Sequence, residues 1–250
     1  MKTKLLFFIL LLAAFNVKVT AQNAGDNDPT FNPNDIGFGF GDGASGDVNA
    51  TAIQSDGKII IGGWFTKYNS TNHLNIARLN IDGTLDTTFN IGSGANSPIN
   101  TIAIQSDGKI IIGGLFWEYN GTSINRIARL NTDGSLDTTF NVGTGVNNSV
   151  QSIAIQTDGK IIIGGKFTLF NGVSINKIAR LNANGTLDTS FNVGTGLGTG
   201  SDEVISTAIQ TDGKIIIGGN IWNYNGTPTN HIVRLNPNGS LDASFNVGTG

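Results

Sequence analysis

Asp158-Gly-Lys-Ile-Ile-Ile-Gly-Gly165 stands four times in the chain, with further copies at Asp56–Gly63, Asp107–Gly114 and Asp212–Gly219. The copies follow one another at steps of 51, 51 and 54 residues. A nearly constant step of that size marks an array of one supersecondary unit, stacked so that neighbours share a core. The string also says how the units meet. Asp158-Gly159 supplies the positive φ that a tight hairpin demands, so a strand is predicted to start at Lys160 and run to Phe167. A strand with one wet face alternates apolar and polar residues. Three consecutive isoleucines put apolar groups on both faces, so this strand is covered from both sides, and the cover is the neighbouring unit. The Gly-Gly that follows suits a crowded place where sheets converge.

Outward from this string, Val150–Ile155 alternates and reads as a first strand. Asn171-Gly172 turns the chain, Ile175–Asn182 makes a third strand, Asn184-Gly185 turns it again, and Thr186–Phe191 is a short fourth. Each repeat is thus predicted as a four-stranded antiparallel meander, and such sheets stacked radially make an all-β propeller or an arc of one. A β-solenoid fits less well, because its coils usually need about half this length.

The run Ala154–Phe167, then Asn171-Gly172, Ala179–Asn182 and Asn184–Phe191, resembles the delta-60 repeat, a propeller-type repeat of exported bacterial proteins. The resemblance extends from Val48 to Gly250. It implies a β-propeller and an extracellular setting, often beside surface-sorting or adhesive domains, and no activity attached to particular residues.

The ends carry a separate message. Lys2 and Lys4 precede the apolar run Leu5–Phe15, and Val19-Thr20-Ala21 offers small residues before Gln22. Residues 1–21 therefore read as a secretory signal peptide, and the chain is expected to be exported to the cell surface or beyond. The apolar run is too short to span a bilayer, and no later stretch qualifies. Lys2, Lys4 and Lys18 leave with the signal, so the mature chain holds 12 basic against 18 acidic residues, a net charge of −6. That balance argues against nucleic acid and anionic membrane as partners. Cysteine is absent, so no disulfide supports the core. Thirty-five glycines and 13% charged residues are the composition of short strands and tight turns.

Residues 22–47 form an N-terminal segment, and the repeats are expected at about 48–98, 99–149, 150–203 and 204–250. Asp28-Pro-Thr-Phe-Asn32 in that segment matches the fourth-strand motif Asp86-Thr-Thr-Phe-Asn90, so it reads as an outer strand without a blade of its own. Four first, second and third strands then stand against five fourth strands, and further blades are expected beyond Gly250.

Four arginines recur at one place in the third strand, Arg78, Arg129, Arg180 and Arg234. Eight residues after each stands an aspartate, Asp86, Asp137, Asp188 and Asp242. Across a tight turn that spacing puts the pair on adjacent strands, where opposite charges meet. The structural reading is an Arg–carboxylate clip holding the outer strand; the functional one is a ring of charge for a ligand. Lys58, Lys109, Lys160 and Lys214 follow the hairpin tips and are expected to reach into solvent.

No catalytic constellation, metal site or cofactor motif stands out. His73 and His231 occupy different columns and read as surface or turn residues. Asp202 and Glu203 are adjacent, so they point apart, and they fall in an insertion expected to be solvated. The aromatic set after Gly-Gly is the best binding signal. Phe65, Phe116, Phe167 and Ile221 share a column expected in the core. Trp117 and Trp222, in the next column, are the candidate ligand-binding residues together with Tyr119 and Tyr224. Flat aromatics at a blade rim can stack on sugars or grip a protein; packing between blades is the alternative.

The expectation is a non-enzymatic interaction or scaffold module whose partner is a protein or a glycan at the cell surface. The alternatives are a carbohydrate-binding module using the rim tryptophans, and a hydrolase with its site in the channel or in a further domain.

Overall fold

The computed structural model of the chain describes Asp28 and residues 30–32, 43–198, 200–245 and 248. The signal peptide expected over residues 1–21 lies outside them. Within them every regular element is a strand.

Each repeat folds the same way. In the third, the second strand (Ile161–Gly165) is central: Ile155 pairs with Ile161 on one edge and Leu181 pairs with Ile161 on the other. The first strand (Val150–Ile155) is bulged between Val150 and Ser152, opposite the Gly-Gly pair, and the third strand is Ile178–Leu181. First strands of successive repeats pack on one another, so they form the inner edge of an arc of blades. Turns at Asp56-Gly57 and Asn80–Gly83 lie at one end of the first blade. The connection from second to third strand lies at the other and carries a two-residue hairpin, Lys67–Tyr68 against Thr71–Asn72.

The predicted fourth strand is corrected. The sheets have three strands, and Leu187 contributes only an isolated bridge to Leu181. Beyond it the chain turns, because Asp188 Oδ1 accepts from the amide and hydroxyl of Ser190 at 3.0 and 2.6 Å. That local bonding competes with a ladder and ends it.

The isoleucine triplets build the joints. Ile110 and Ile112 pack into the first blade with Ile60 and Ile76, whereas Ile111, between them, packs into the third blade with Ile161 and Ile163. One strand therefore belongs to two cores, and each buried isoleucine stabilises by about 1.5–3 kcal/mol. The glycines leave room for this. A Cβ on Gly164 would stand 2.5 Å from Val204 Cγ1 of the next blade, and one on Gly165 would run into the carbonyl of Ser149, just before its own first strand.

Outer contacts complete each joint. Arg78, Arg129 and Arg180 donate from Nη1 to the carbonyls of Thr132, Ala183 and Pro237 in the following blade, at 2.6–2.7 Å. The amides of Asn90, Asn141 and Asn192 donate to Asp133, Asn184 and Asn238 there. Phe89, Phe140 and Phe191 lie against Gly134, Gly185 and Gly239 of the same turns. Among the described strands the first and fourth blades form no such joint, so the array is open. Its ends show this: Val48 is 43% exposed, whereas Ile99, Val150 and Val204 in the same column are fully buried.

Candidate interaction surface

The recurring charges make an ion triad around a buried aspartate in every blade. Asp86 Oδ2 accepts from Arg78 Nε and from Lys58 Nζ, both at 2.7 Å, while its Oδ1 accepts from the Thr88 amide and hydroxyl. Arg129, Lys109 and Asp137 repeat the arrangement, as do Arg180, Lys160 and Asp188, and Arg234, Lys214 and Asp242. The lysines, expected to reach into solvent, are instead held on these carboxylates. Burial pushes the Asp86 carboxyl up, but Lys58, the Thr88 hydroxyl and amide, and Arg78 outweigh it and hold it well below the usual carboxylate range. Each guanidinium also lies over a phenylalanine, Arg78 on Phe89 at 4.6 Å and Arg129 on Phe140 at 4.7 Å. All four hydrogen-bonding directions of each carboxylate are thus used within the protein. That arrangement suits a fastener better than a ligand site.

The aromatic columns separate cleanly. Phe65, Phe116, Phe167 and Ile221 are buried. Trp117 and Trp222 are 55% and 59% exposed, and Trp64 stands exposed two columns earlier. The expectation that Tyr119 and Tyr224 bind ligand is corrected: both have 0% exposure. Their hydroxyls donate to the carbonyls of Gly134 and Gly239 at 2.8 and 2.7 Å, tying the hairpin to the outer turn of the same blade. Burial raises both phenols above their ordinary value, with the Asp133 charge adding to the shift at Tyr119.

The large exposed apolar residues fall into few places. Phe31, Val48, Ile53 and Ile81 belong to the open side of the first blade, and Ile232 to the open side of the fourth. Ile205 is the extra residue of a bulge. Leu115, Trp117, Leu169, Val173 and Trp222 lie in connections from second to third strand and Trp64 ends the second strand of the first blade, so all six stand at one end of the blades. The opposite end carries the acidic turns of Asp56, Asp82, Asp107, Asp133, Asp158 and Asp212. The two ends therefore differ in chemistry: aromatic and apolar at one, acidic at the other.

Several residues sit elsewhere than expected. His73 is buried, and its burial lowers the imidazole's basicity. Asp202 is buried as well and accepts from the Gly198 amide at 3.1 Å, while Glu203 pairs with Lys166 at 3.1 Å. A column missed in the sequence is Asn75, Arg126, Lys177 and His231, all at φ between 61° and 69° just before the third strand. Their step matches the repeat, but their side chains share no chemistry, so each reads alone as an exception. His231 makes an edge-on contact with Trp222 at 4.6 Å between ring centroids. Among the described residues no three His, Cys, Asp or Glu side chains gather to hold a metal, and no helix is long and apolar enough to cross a membrane.

Comparison with known proteins follows the repeats. The family described as "Domain of unknown function (DUF5122) beta-propeller" matches at residues 54–89, 105–140, 156–191 and 210–245. No curated protein matches the sequence. Among solved structures, the WD40 β-propeller domain of Doa1 is 17% identical at a TM-score of 0.49, covering 75% of this chain and 50% of that one. A gluconolactonase from Xanthomonas campestris is 14% identical at 0.48, covering 78% and 60%. PorZ, a surface component of the type-IX secretion system of Porphyromonas gingivalis, is 16% identical at 0.48, covering 81% and 28%. The chain thus spans half to three fifths of the length of the first two.

Proposed function

Because the chain belongs to the DUF5122 beta-propeller family, matched in four repeats over more than half its length, we propose that it is an exported, non-enzymatic interaction module of the bacterial cell surface. The reading of the repeats as delta-60 repeats belongs to this proposal. The observation that carries it is the end of the blades where Trp64, Trp117 and Trp222 stand exposed beside Leu115, Leu169 and Val173. Aromatic rings that one face of an array leaves in water, gathered beside further exposed apolar side chains, are suited to anchoring a partner. Export rests on the Lys2–Ala21 signal. The repeated polar groups are bonded to one another, which favours a binding role over turnover.

The partner is a surface protein in the first reading. A glycan is the second, favoured by the amides close to the rings: Asn96 Oδ1 accepts from the Trp117 amide at 3.0 Å, and Asn223 follows Trp222. The test uses the mature chain and a Trp64→Ala/Trp117→Ala/Trp222→Ala variant. Labelled protein is bound to intact cells of the producing bacterium, with and without prior protease treatment. The triple variant is expected to lose about tenfold or more in affinity, since truncating an anchoring tryptophan commonly costs 2 kcal/mol or more. Binding that survives protease and appears on a glycan array selects the glycan. Undiminished binding by the variant removes this end of the blades from consideration.

A further inference from the structure

The fourth repeat departs from the other three at one seat in its aromatic end. In those three the chain enters the blade by a bridge to the hairpin, Ala44 to Tyr68, Ala95 to Tyr119 and Val146 to Phe170. The next residue turns a side-chain oxygen onto two hairpin amides. Ser45 Oγ accepts from Thr66 and Lys67 at 3.1 and 3.0 Å, Asn96 Oδ1 from Trp117 and Glu118 at 3.0 and 3.1 Å, and Asn147 Oδ1 from Thr168 and Leu169 at 2.8 and 2.9 Å. Leu197 makes the matching bridge to Tyr224, but the residue after it is Gly198, which has no side-chain oxygen to offer. Among the described residues nothing accepts from the amides of Trp222 and Asn223.

The chain is three residues longer here than at the other joints, and the extra length brings a different neighbour. The amides of Ser45, Asn96 and Asn147 donate to the hairpin carbonyls of Lys67, Glu118 and Leu169, whereas the Gly198 amide donates to Oδ2 of the buried Asp202 at 3.1 Å. A Cβ placed on Gly198, where the other repeats begin their capping side chain, would stand 2.8 Å from that oxygen and 3.0 Å from Asn223 Nδ2. The uncapped amides, the Asp202 carboxylate and the Asn223 carboxamide therefore meet at Gly198, next to the exposed ring of Trp222, which His231 touches edge-on. Serine and asparagine in the other repeats show what the seat takes, one neutral oxygen. Two amides need an acceptor and Asp202 needs a donor, and a hydroxyl serves both.

Resting on the reading of this end of the blades as the binding face, we propose that Trp222, the amides of Trp222 and Asn223, and Asp202 form a subsite for one neutral sugar residue of a glycan. A sugar hydroxyl accepts from the two amides and donates to Asp202, Asn223 Nδ2 donates to a second oxygen, and the apolar face of the sugar lies on the indole. A carboxylate or phosphate would suit the amides but face Asp202, so uronic acids and phosphorylated ligands are rejected. Trp117 carries a like ring without a like seat, because Asn96 already holds its amide. It adds contact area and recognises no hydroxyl there.

The test puts the mature chain on an array of printed neutral and uronic-acid glycans and titrates the strongest neutral hit. The natural chain is expected to bind neutral glycans and no polyuronate. Gly198→Asn returns the cap of the second and third repeats. Its Cβ meets only the movable ends of Asp202 and Asn223, so the fold is expected to stand while affinity falls about tenfold or more, the worth of two hydrogen bonds. Asp202→Asn is expected to weaken binding by about tenfold as well, whereas Asp158→Asn, an exposed acid at the opposite end, leaves it unchanged. Should Gly198→Asn lose its β-sheet signal in circular dichroism, Gly198→Ser, which copies Ser45, takes its place. A natural chain that binds no neutral glycan overturns the proposal, as does binding indifferent to the restored cap or to Asp202→Asn. Intact cells separate this subsite from the face that holds it. If the triple tryptophan variant loses cell binding while Gly198→Asn keeps it, the sugar subsite falls and the face stands; undiminished binding by the triple variant removes the face itself.

Discussion

Arg129 donates from Nε to Asp137 Oδ2 at 2.7 Å and at the same time from Nη1, at 2.7 Å, to the Ala183 carbonyl of the next blade. One side chain thus fastens its own outer turn and the neighbouring repeat. Arg129→Ala strands a buried carboxylate and removes the cross-blade bond together. Breaking a buried pair from one side costs about 3–5 kcal/mol, and urea unfolding should show a loss of that size. Arg129→Lys is expected to recover little, because a point charge cannot serve three directions. Arg234→Ala should cost less, since among the described residues no following carbonyl receives its Nη1.

Acid should loosen the array in a defined window. Asp86, Asp137 and Asp188 are held well below the usual carboxylate range, the lysine, hydroxyl, amide and arginine around each outweighing the upward push of burial. In the unfolded chain they titrate near about 3.9. Their stabilisation is therefore complete above that value and is lost as pH falls below it toward the folded-state pKa. Thermal midpoints are expected to be level from about pH 7 to about pH 5 and to drop steeply between about pH 4 and about pH 2. A midpoint that holds through the acid range would show that the triads contribute nothing.

Glycine positions should split by location rather than by type. A methyl on Gly164 meets Val204 Cγ1 at 2.5 Å, and one on Gly113 meets Val150 Cγ1 at 2.7 Å. Overpacking of this kind costs about 1–3 kcal/mol, so Gly164→Ala should lower the melting temperature by several degrees. At Gly218 the nearest atom to such a methyl is the His231 carbonyl oxygen at 3.9 Å, so Gly218→Ala should melt with the unaltered chain.

Tyr119→Phe and Tyr224→Phe each remove one hydroxyl and leave a buried glycine carbonyl without its donor. A loss of about 0.5–1.5 kcal/mol is expected for each in chemical denaturation. Partner binding should stay as it was, because neither ring reaches the surface. A binding defect without a stability defect would return these tyrosines to the candidate site.

The architecture was open to sequence reasoning because its cause is local. Three isoleucines in a row cannot alternate, and eight residues across an Asn-Gly or Asp-Gly turn bring Arg180 opposite Asp188. The lysine of each triad was not, since Lys160 lies 28 residues from Asp188 and meets it only once the second strand is sandwiched between the first and third. Tyr119 misled for a related reason. Strict alternation past Gly114 would keep Tyr119 on the same face as Trp117, but the chain there leaves the sheet for a two-residue hairpin, with Tyr119 buried and Trp117 exposed. The outer element looked like a strand by pattern alone; the bonding of Ser190 to Asp188 that bends it is a side-chain effect invisible to periodicity.

Thr132, Ala183 and Pro237 have nothing in common but a carbonyl, and that is all the arginine of the preceding repeat requires of them. A link that reads main chain asks no matching change on its far side when residues there drift. Genes built this way can gain, lose or shuffle whole modules by recombination, without first evolving a compatible pair.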